Sequence, residues 1–303
     1  MVTPQDALHV ITGRYGTHAG FRALHAKGIL CRGSFTATPA AAALSRAAHL
    51  SGERIEVTAR FSNAAGDPAQ PDYVPDPRGL AVKFYLPDGT RTDLVAQSVP
   101  HFPVATPDAF LELLRAGQPG LANAWRLPWF LARHPAALRS APANVAALRP
   151  PESYASCSYY GVHAFRWVSA DGSARFVRST LVPAAGEHRL TVAEARSRGR
   201  DFLTEELRAR LVREPVRFDL RAVVAVPGDP VEDPSARWPL SRQTVIVGTL
   251  ELTGLEENRE TGGDVLVFDP TRVTDGIELS DDPVLRFRSP AYSASVAQRT
   301  ATH

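Results

Sequence analysis

The first residues able to do chemistry stand together in one stretch, RIEVTARFSNAAGDPAQPDYVPDPRGLAVKFYL, from Arg54 to Leu86. Ile55, Val57, Ala59 and Phe61 alternate there with Glu56, Thr58, Arg60 and Ser62. A period of two over this length marks a half-buried β-strand. Arg60 puts a permanent charge in that strand and is followed by Ser62 and Asn63. Taken alone, such an arginine would be solvated or ion-paired. Near the other end of the chain, Arg288 and Tyr292 lie four residues apart, on one face if the segment is helical. A phenol ordinarily titrates near ~10, and a guanidinium within hydrogen-bonding reach favours its phenolate. His25 is one of nine histidines and sits among leucine and alanine, where a histidine is usually a satisfied core or surface group. Cys31 and Cys157 have neither a metal-binding nor a redox spacing and are expected as buried free thiols.

The elements that must position these groups are mostly strands. Pro4 to Tyr15 reads as a short amphipathic helix, and Gly28 to Phe35 as a strand. Thr38-Pro39 is a helix start, an N-cap hydroxyl followed by proline at the first helical position. The alanine-rich helix it opens is expected to end near Ser51-Gly52. Strands Leu80 to Leu86 and Thr92 to Gln97 are joined by the turn Pro87-Asp88-Gly89. Helical patterns follow at Pro107 to Gly117, Leu121 to Arg133 and Ala136 to Leu148. YYGVHAFRWV and ARFVRSTLVP read as a hairpin, and Val192 to Val212 as one helix with a capping box from Thr191 and Glu194. Val216 to Val226 and Thr244 to Leu252 bring the strands to about eight, the count at which a small barrel closes.

Composition narrows the class. At 303 residues the chain can bury a sizeable core as one domain, and 44% hydrophobic with 22% charged residues is ordinary for a globular protein. A formal net charge of +2 implies no general polyanion-binding surface, so no nucleic-acid partner is expected. Lys27 and Lys83 are the only lysines; nearly all the positive charge is arginine, whose fork suits carboxylates. The N-terminus has no basic start or long apolar core, and no window approaches the ~18 apolar residues of a membrane span. A cytoplasmic protein with no membrane partner is the expectation.

The segments ARFSN, DPRGLAVKFY and DLVAQSVPHF stand in the order and spacing of the haem-binding barrel of catalases. RALHAKG upstream, and YGVHAF, SDDPVLRFR and Tyr292 downstream, extend the match over nearly the whole chain. The protein resembles the short, catalase-related peroxidases. That resemblance implies an α+β fold, a closed antiparallel barrel of about eight strands with flanking helices, in one haem-binding domain over 1–303. It implies haem b with Tyr292 as axial ligand, supported by Arg288, since tyrosine is an established axial ligand in this family. By the same resemblance Arg22, Arg60 and Arg299 meet the haem propionates, His25 lies over the distal face, and Phe102 and Phe110 stand near that pocket. His163 falls toward the proximal side.

The sequence departs from the family where catalases carry an asparagine pair. Gln97 and Ser98 stand there, and the Gln97 amide sits one methylene further from its backbone. Ser293 and Ala294 replace a proline and an aspartate after the tyrosine, and the chain lacks the C-terminal regions of full-length catalases. The expected activity is reduction of hydrogen peroxide or a small organic hydroperoxide by an organic donor, with weak dismutation. His25 and Gln97 are its catalytic residues, and a homo-oligomer is compatible with it. Rearrangement of fatty-acid hydroperoxides, or haem binding without turnover, are the competing readings.

Overall fold

The computed structural model describes residues 2–118, 125–257 and 265–300. Its centre is a closed antiparallel barrel. The strands are β1 (Gly28–Ala37), β2 (Arg54–Asn63), β3 (Arg78–Tyr85), β4 (Arg91–Gln97), β5 (Tyr159–Tyr160), β6 (Phe165–Val168), β7 (Ala174–Pro183), β8 (Val216–Val224), β9 (Thr244–Leu255) and β10 (Ile277–Leu279). Pairing runs β1-β2-β3-β4-β5-β7-β8-β9 and returns to β1, an eight-stranded ring. β6 and β10 add to the free edge of β7 outside that ring. Closure leaves the ring itself without an unpaired edge.

The alternation read in β2 is present, but both of its faces are buried over most of its length. Ile55, Val57, Ala59 and Phe61 enter the main core. Thr58, Arg60 and Ser62 are buried on the other side, Asn63 is buried at the strand's end, and Arg60 is 4% exposed. A solvated arginine is therefore excluded. The end of β2 is tied down by Asp72, which is fully buried and accepts from Lys27 Nζ at 2.7 Å, Asn63 Nδ2 at 2.8 Å and the Leu203 amide at 2.9 Å. Asn63 in turn accepts from the Tyr154 hydroxyl at 2.9 Å. Arg78, also fully buried, donates to the carbonyls of Asp72 and Val74. The proline-rich connection between β2 and β3 is thus pinned from inside, which fixes the strand ends that carry Ser62 and Gly79.

The helices are α1 (Pro4–Tyr15), α2 (Pro39–Ala42), α3 (Pro107–Ala116), α4 (Arg126–Arg133), α5 (Pro135–Ala147), α6 (Val192–Ser197), α7 (Phe202–Arg213) and α8 (Pro283–Thr300). Three expectations are corrected. The alanine-rich helix after Thr38 is one turn, α2, followed by a separate 3-10 turn at Ala48–Leu50. Thr38 makes no cap bond; its hydroxyl donates to the Ile246 carbonyl at 2.7 Å, and Ser45 donates to Gly276. The expected long helix after Thr191 is two, α6 and α7, broken at Gly199 with φ +108°. Its capping box is present. The hairpin strand YYGVHAFRWV is split into β5 and β6 around Gly161–Ala164. Of the expected helix Leu121 to Arg133, positions 121–124 lie outside the described residues. Cys31 and Cys157 are buried and free.

Candidate active site

His25 lies in the arm that leads into β1, with φ +56°, the one non-glycine residue among those described with a left-handed backbone. Such a conformation is uncommon outside glycine and asparagine and persists where its surroundings fix it. Its amide donates to the Ala64 carbonyl at 3.0 Å. Its ring Nδ1 is 2.9 Å from the Ser62 hydroxyl on β2. The ring also packs on Gly79 of β3, where an added Cβ would fall 2.8 Å from Nδ1 and 2.7 Å from Ser62 Oγ. Two strands and the arm thus hold one imidazole.

Three arginines act on that imidazole. Burial pushes its pKa down to about 3, and the guanidiniums of Arg60, Arg288 and Arg22 push the same way. Arg60 donates to the Ala26 carbonyl at 3.3 Å, and a Cβ on Gly28 would stand 2.6 Å from its Cζ. Arg22 donates to the Leu266 carbonyl at 2.7 Å and lies over the Phe268 ring at 5.6 Å. Phe268 packs with Leu30, Ala81 and Val95. Its segment is anchored by Asp93, which accepts from the Asp269 amide at 2.9 Å and from Lys83 at 2.5 Å.

α8 supplies the far wall, packed on α1 and α3. Arg288 and Tyr292 share a face as their spacing requires, with the guanidinium 5.9 Å from the phenol ring centroid. Arg299, seven residues on, is 3% exposed. A small cleft of about 20 Å³ opens beside Arg22 and Arg299 and is also lined by His18, Phe21, Ala23 and Gln298. At the start of α8, Asp282 accepts from the amides of Val284 at 2.8 Å and Leu285 at 3.1 Å, and its second oxygen is 2.6 Å from His163 Nδ1. Burial holds the His163 pKa down to about 4, with Arg288 acting in the same direction against Asp282. His163 Nε2 is buried and has no hydrogen-bond partner. Arg288 therefore acts on His25 and His163 alike.

The structure brings together His25, Arg22, Arg60 and Arg288, with Tyr292 beside Arg288. Gln97 is less closely joined. It pairs in register with Gly79, but its amide donates at 3.4 Å to the carbonyl of His101. Phe110 packs on Phe102 at 5.1 Å between ring centroids, and Phe102 lies 6.4 Å from the His163 ring, so these aromatics border His163. Ser62, Gly79 and Asp282 were not singled out for these roles by sequence reasoning. Ser62 was detectable as the residue two beyond Arg60 on the same strand face. Asp282 was detectable as an acid before proline at a helix start. Nothing local marks Gly79. Among the described residues no three histidine, cysteine or carboxylate groups gather to hold a metal, and no helix is long and apolar enough to cross a membrane.

Comparison with known proteins gives one consistent answer. The family model described as Catalase matches residues 19–303. A protein named Catalase-related peroxidase from Mycolicibacterium paratuberculosis is 53% identical over 99% of this chain and 95% of its own length. Another of that name from Synechococcus elongatus is 38% identical over 99% of this chain and 89% of its own. Catalase-2 of Bacillus subtilis is 29% identical, and the match covers 43% of it. A solved structure titled as that of a bacterial catalase superposes with a TM-score of 0.81 at 23% identity, over 94% of this chain and 58% of that one. The chain thus spans roughly half the length of these longer catalases and nearly all of the shorter relatives.

Proposed function

Because the chain belongs to the catalase family, we propose that it is an oxidoreductase acting on peroxide, a haem-dependent peroxidase that reduces hydrogen peroxide or a small organic hydroperoxide with an organic molecule as electron donor. The observation that carries this reading is the His25 imidazole, kept neutral by burial and by guanidiniums and anchored at Nδ1 to Ser62.

The residues present fit haem b. Its two propionates are carboxylates, and the charged groups acting on His25 are arginines, the side chains best shaped to take a carboxylate through two parallel hydrogen bonds. Arg22, Arg60 and Arg299 would hold the propionates, and Tyr292 would take the iron, its phenolate favoured by Arg288. Leu30, Val95, Phe268 and the Phe102–Phe110 pair offer apolar surface for the ring. When bound, haem supplies the redox centre at which the peroxide bond is cleaved and the donor is oxidised.

The rest is done by this chain's own side chains. With Nδ1–H donating to Ser62, the Nε2 lone pair of His25 faces the substrate; it takes the hydroperoxide proton and returns it to the departing oxygen. A pKa of about 3 before any anion is bound keeps the imidazole in the accepting form throughout the neutral range. The Gln97 amide is turned to the His101 carbonyl, which favours donor oxidation over dismutation, the reaction that needs a second peroxide held over the site. The test is His25→Ala in haem-loaded protein. Haem absorbance should be retained while kcat/KM for peroxide falls by at least about 100-fold, the usual contribution of a general acid–base group. An unchanged kcat/KM removes His25 from the mechanism.

A further inference from the structure

The net charge of +2 conceals an uneven stretch. Between Glu112 and Glu152 there is no acidic residue, while Arg115, Arg126, Arg133, Arg139 and Arg149 all fall there. The fold makes this stretch into α4 and α5 and shows which side of each faces out. In α5, Ala137 and Ser140 are buried, whereas Leu138, Arg139, Pro142, Ala143, Val145 and Ala146 are exposed, one arc at helical spacing. In α4 Phe130 is buried, and Leu127, Trp129 and the preceding Trp125 are 42, 57 and 62% exposed. Apolar residues, proline and arginine make up the whole outward side of both helices. Arg133 is paired with Glu112, but Arg126 and Arg139 meet no acidic side chain among the described residues.

Exposed apolar residues are normal when scattered and informative when gathered. Of the eleven large ones exposed among the described residues, four lie in these two helices and a fifth, Trp125, just before α4; the rest are spread over the molecule. We propose that the α4–α5 face docks on an anionic lipid surface, with Trp125 and Trp129 at headgroup depth and Arg126 and Arg139 on the lipid phosphates. Tryptophan favours the membrane–water interface. Helices with an apolar face and unopposed basic charge lie in that interface without spanning it. A second copy of the chain fits less well. A two-fold contact through this face would bring arginine against arginine, with the neighbouring Glu112 already held by Arg133 and His134.

The test uses full-length, haem-loaded protein and flotation with vesicles of phosphatidylcholine alone or with about 30% phosphatidylglycerol. Binding should be confined to the anionic vesicles and be lost in about 0.5 M salt. Trp167 and Trp238 are buried, so a blue shift in emission on vesicle addition reports Trp125 and Trp129. Arg126→Glu with Arg139→Glu, and separately Trp129→Ser with Val145→Ser, should each weaken binding by roughly tenfold or more while peroxide-dependent donor oxidation is unchanged. Equal binding to neutral vesicles, no flotation, or no effect of the charge reversals overturns the proposal. A dimer that these variants dissociate, with no vesicle binding, assigns the face to a second copy instead.

Discussion

Gly79→Ala isolates the positioning of His25 from its chemistry. Gly79 is a regular β3 residue paired with Ser62 and Gln97, with no left-handed backbone to protect, so alanine is tolerated by the strand itself. Its Cβ would nevertheless stand 2.7 Å from Ser62 Oγ, 2.8 Å from His25 Nδ1 and 2.9 Å from His25 Cε1. Ordinary contact begins near 3.4 Å, so both partners of the Nδ1–Oγ hydrogen bond must withdraw by ~0.6 Å or more. The backbone amide of His25 is bonded to Ala64, which leaves the ring to do the moving. A misplacement of ~1 Å in a reacting group costs about 100-fold, so ~0.6 Å should cost roughly ten- to thirtyfold in kcat/KM for peroxide. Overpacking adds about 1–3 kcal/mol of destabilisation, which a thermal melt separates from the kinetic effect. The assay is steady-state oxidation of a phenolic donor at matched haem content. Full activity in a folded, haem-replete Gly79→Ala protein would refute the claim that the Ser62–Gly79 contact positions the imidazole.

Three further outcomes follow from the same geometry. Tyr292→Phe should lower the haem-to-protein ratio and change the haem absorption spectrum, and a parent-like ratio and spectrum would exclude Tyr292 as the ligand. Gln97→Asn, by shortening the side chain that now reaches the His101 carbonyl, should raise oxygen evolution from peroxide alone roughly tenfold, about 1.4 kcal/mol of transition-state positioning. An oxygen electrode showing no gain, with vigorous dismutation by the parent, would mark the enzyme as a small catalase. Haem-free protein should lose stability on acidification, because His25, His49 and His163 have folded-state pKa values depressed to about 3, 4 and 4. The unfolded chain binds these protons first, so their contribution is complete above pH ~6.5 and is lost as pH falls toward ~4, with a slope of up to about 4 kcal/mol per pH unit. Urea midpoints that stay flat between pH 7 and 5 would contradict it.

The barrel was legible because its strands carry period-two alternation and closure needs only that the strands number about eight. α1 and the capping box of α6 were legible because their signals are local. The alanine-rich segment misled because helix propensity is a weak force beside tertiary hydrogen bonds. There the Thr38 and Ser45 hydroxyls are drawn to Ile246 and Gly276, and Gly276 approaches so closely that a Cβ would sit 2.6 Å from the Ala47 amide. Within the site, the arginines, His25 and Tyr292 could be found from motif order. Their supports could not, since Ser62 meets His25 across 37 residues and Asp282 meets His163 across 119.

Those supports bear on why the site is built from distant segments at all. Arg22 comes from the arm, Arg60 from β2 and Arg288 from α8, and each acts on His25 in the direction that opposes protonation. Gathering guanidiniums around a buried ring costs stability, and hydrogen-bond acceptors on the main chain offset part of that cost. The carbonyls of Ala26 and Leu266 accept hydrogen bonds from Arg60 and Arg22. The buried Asp72, Asn63, Tyr154 and Arg78 network fixes the strand ends. The bonds to the Ala26 and Leu266 carbonyls help to orient the two guanidiniums, which leaves less reorganisation for a ligand's carboxylates to impose. The same carboxylates would relax the electrostatic pressure on His25 and move its pKa back toward the neutral range, where one group can both accept and return a proton. On the proposed mechanism the ligand's charge would be part of the acid–base device.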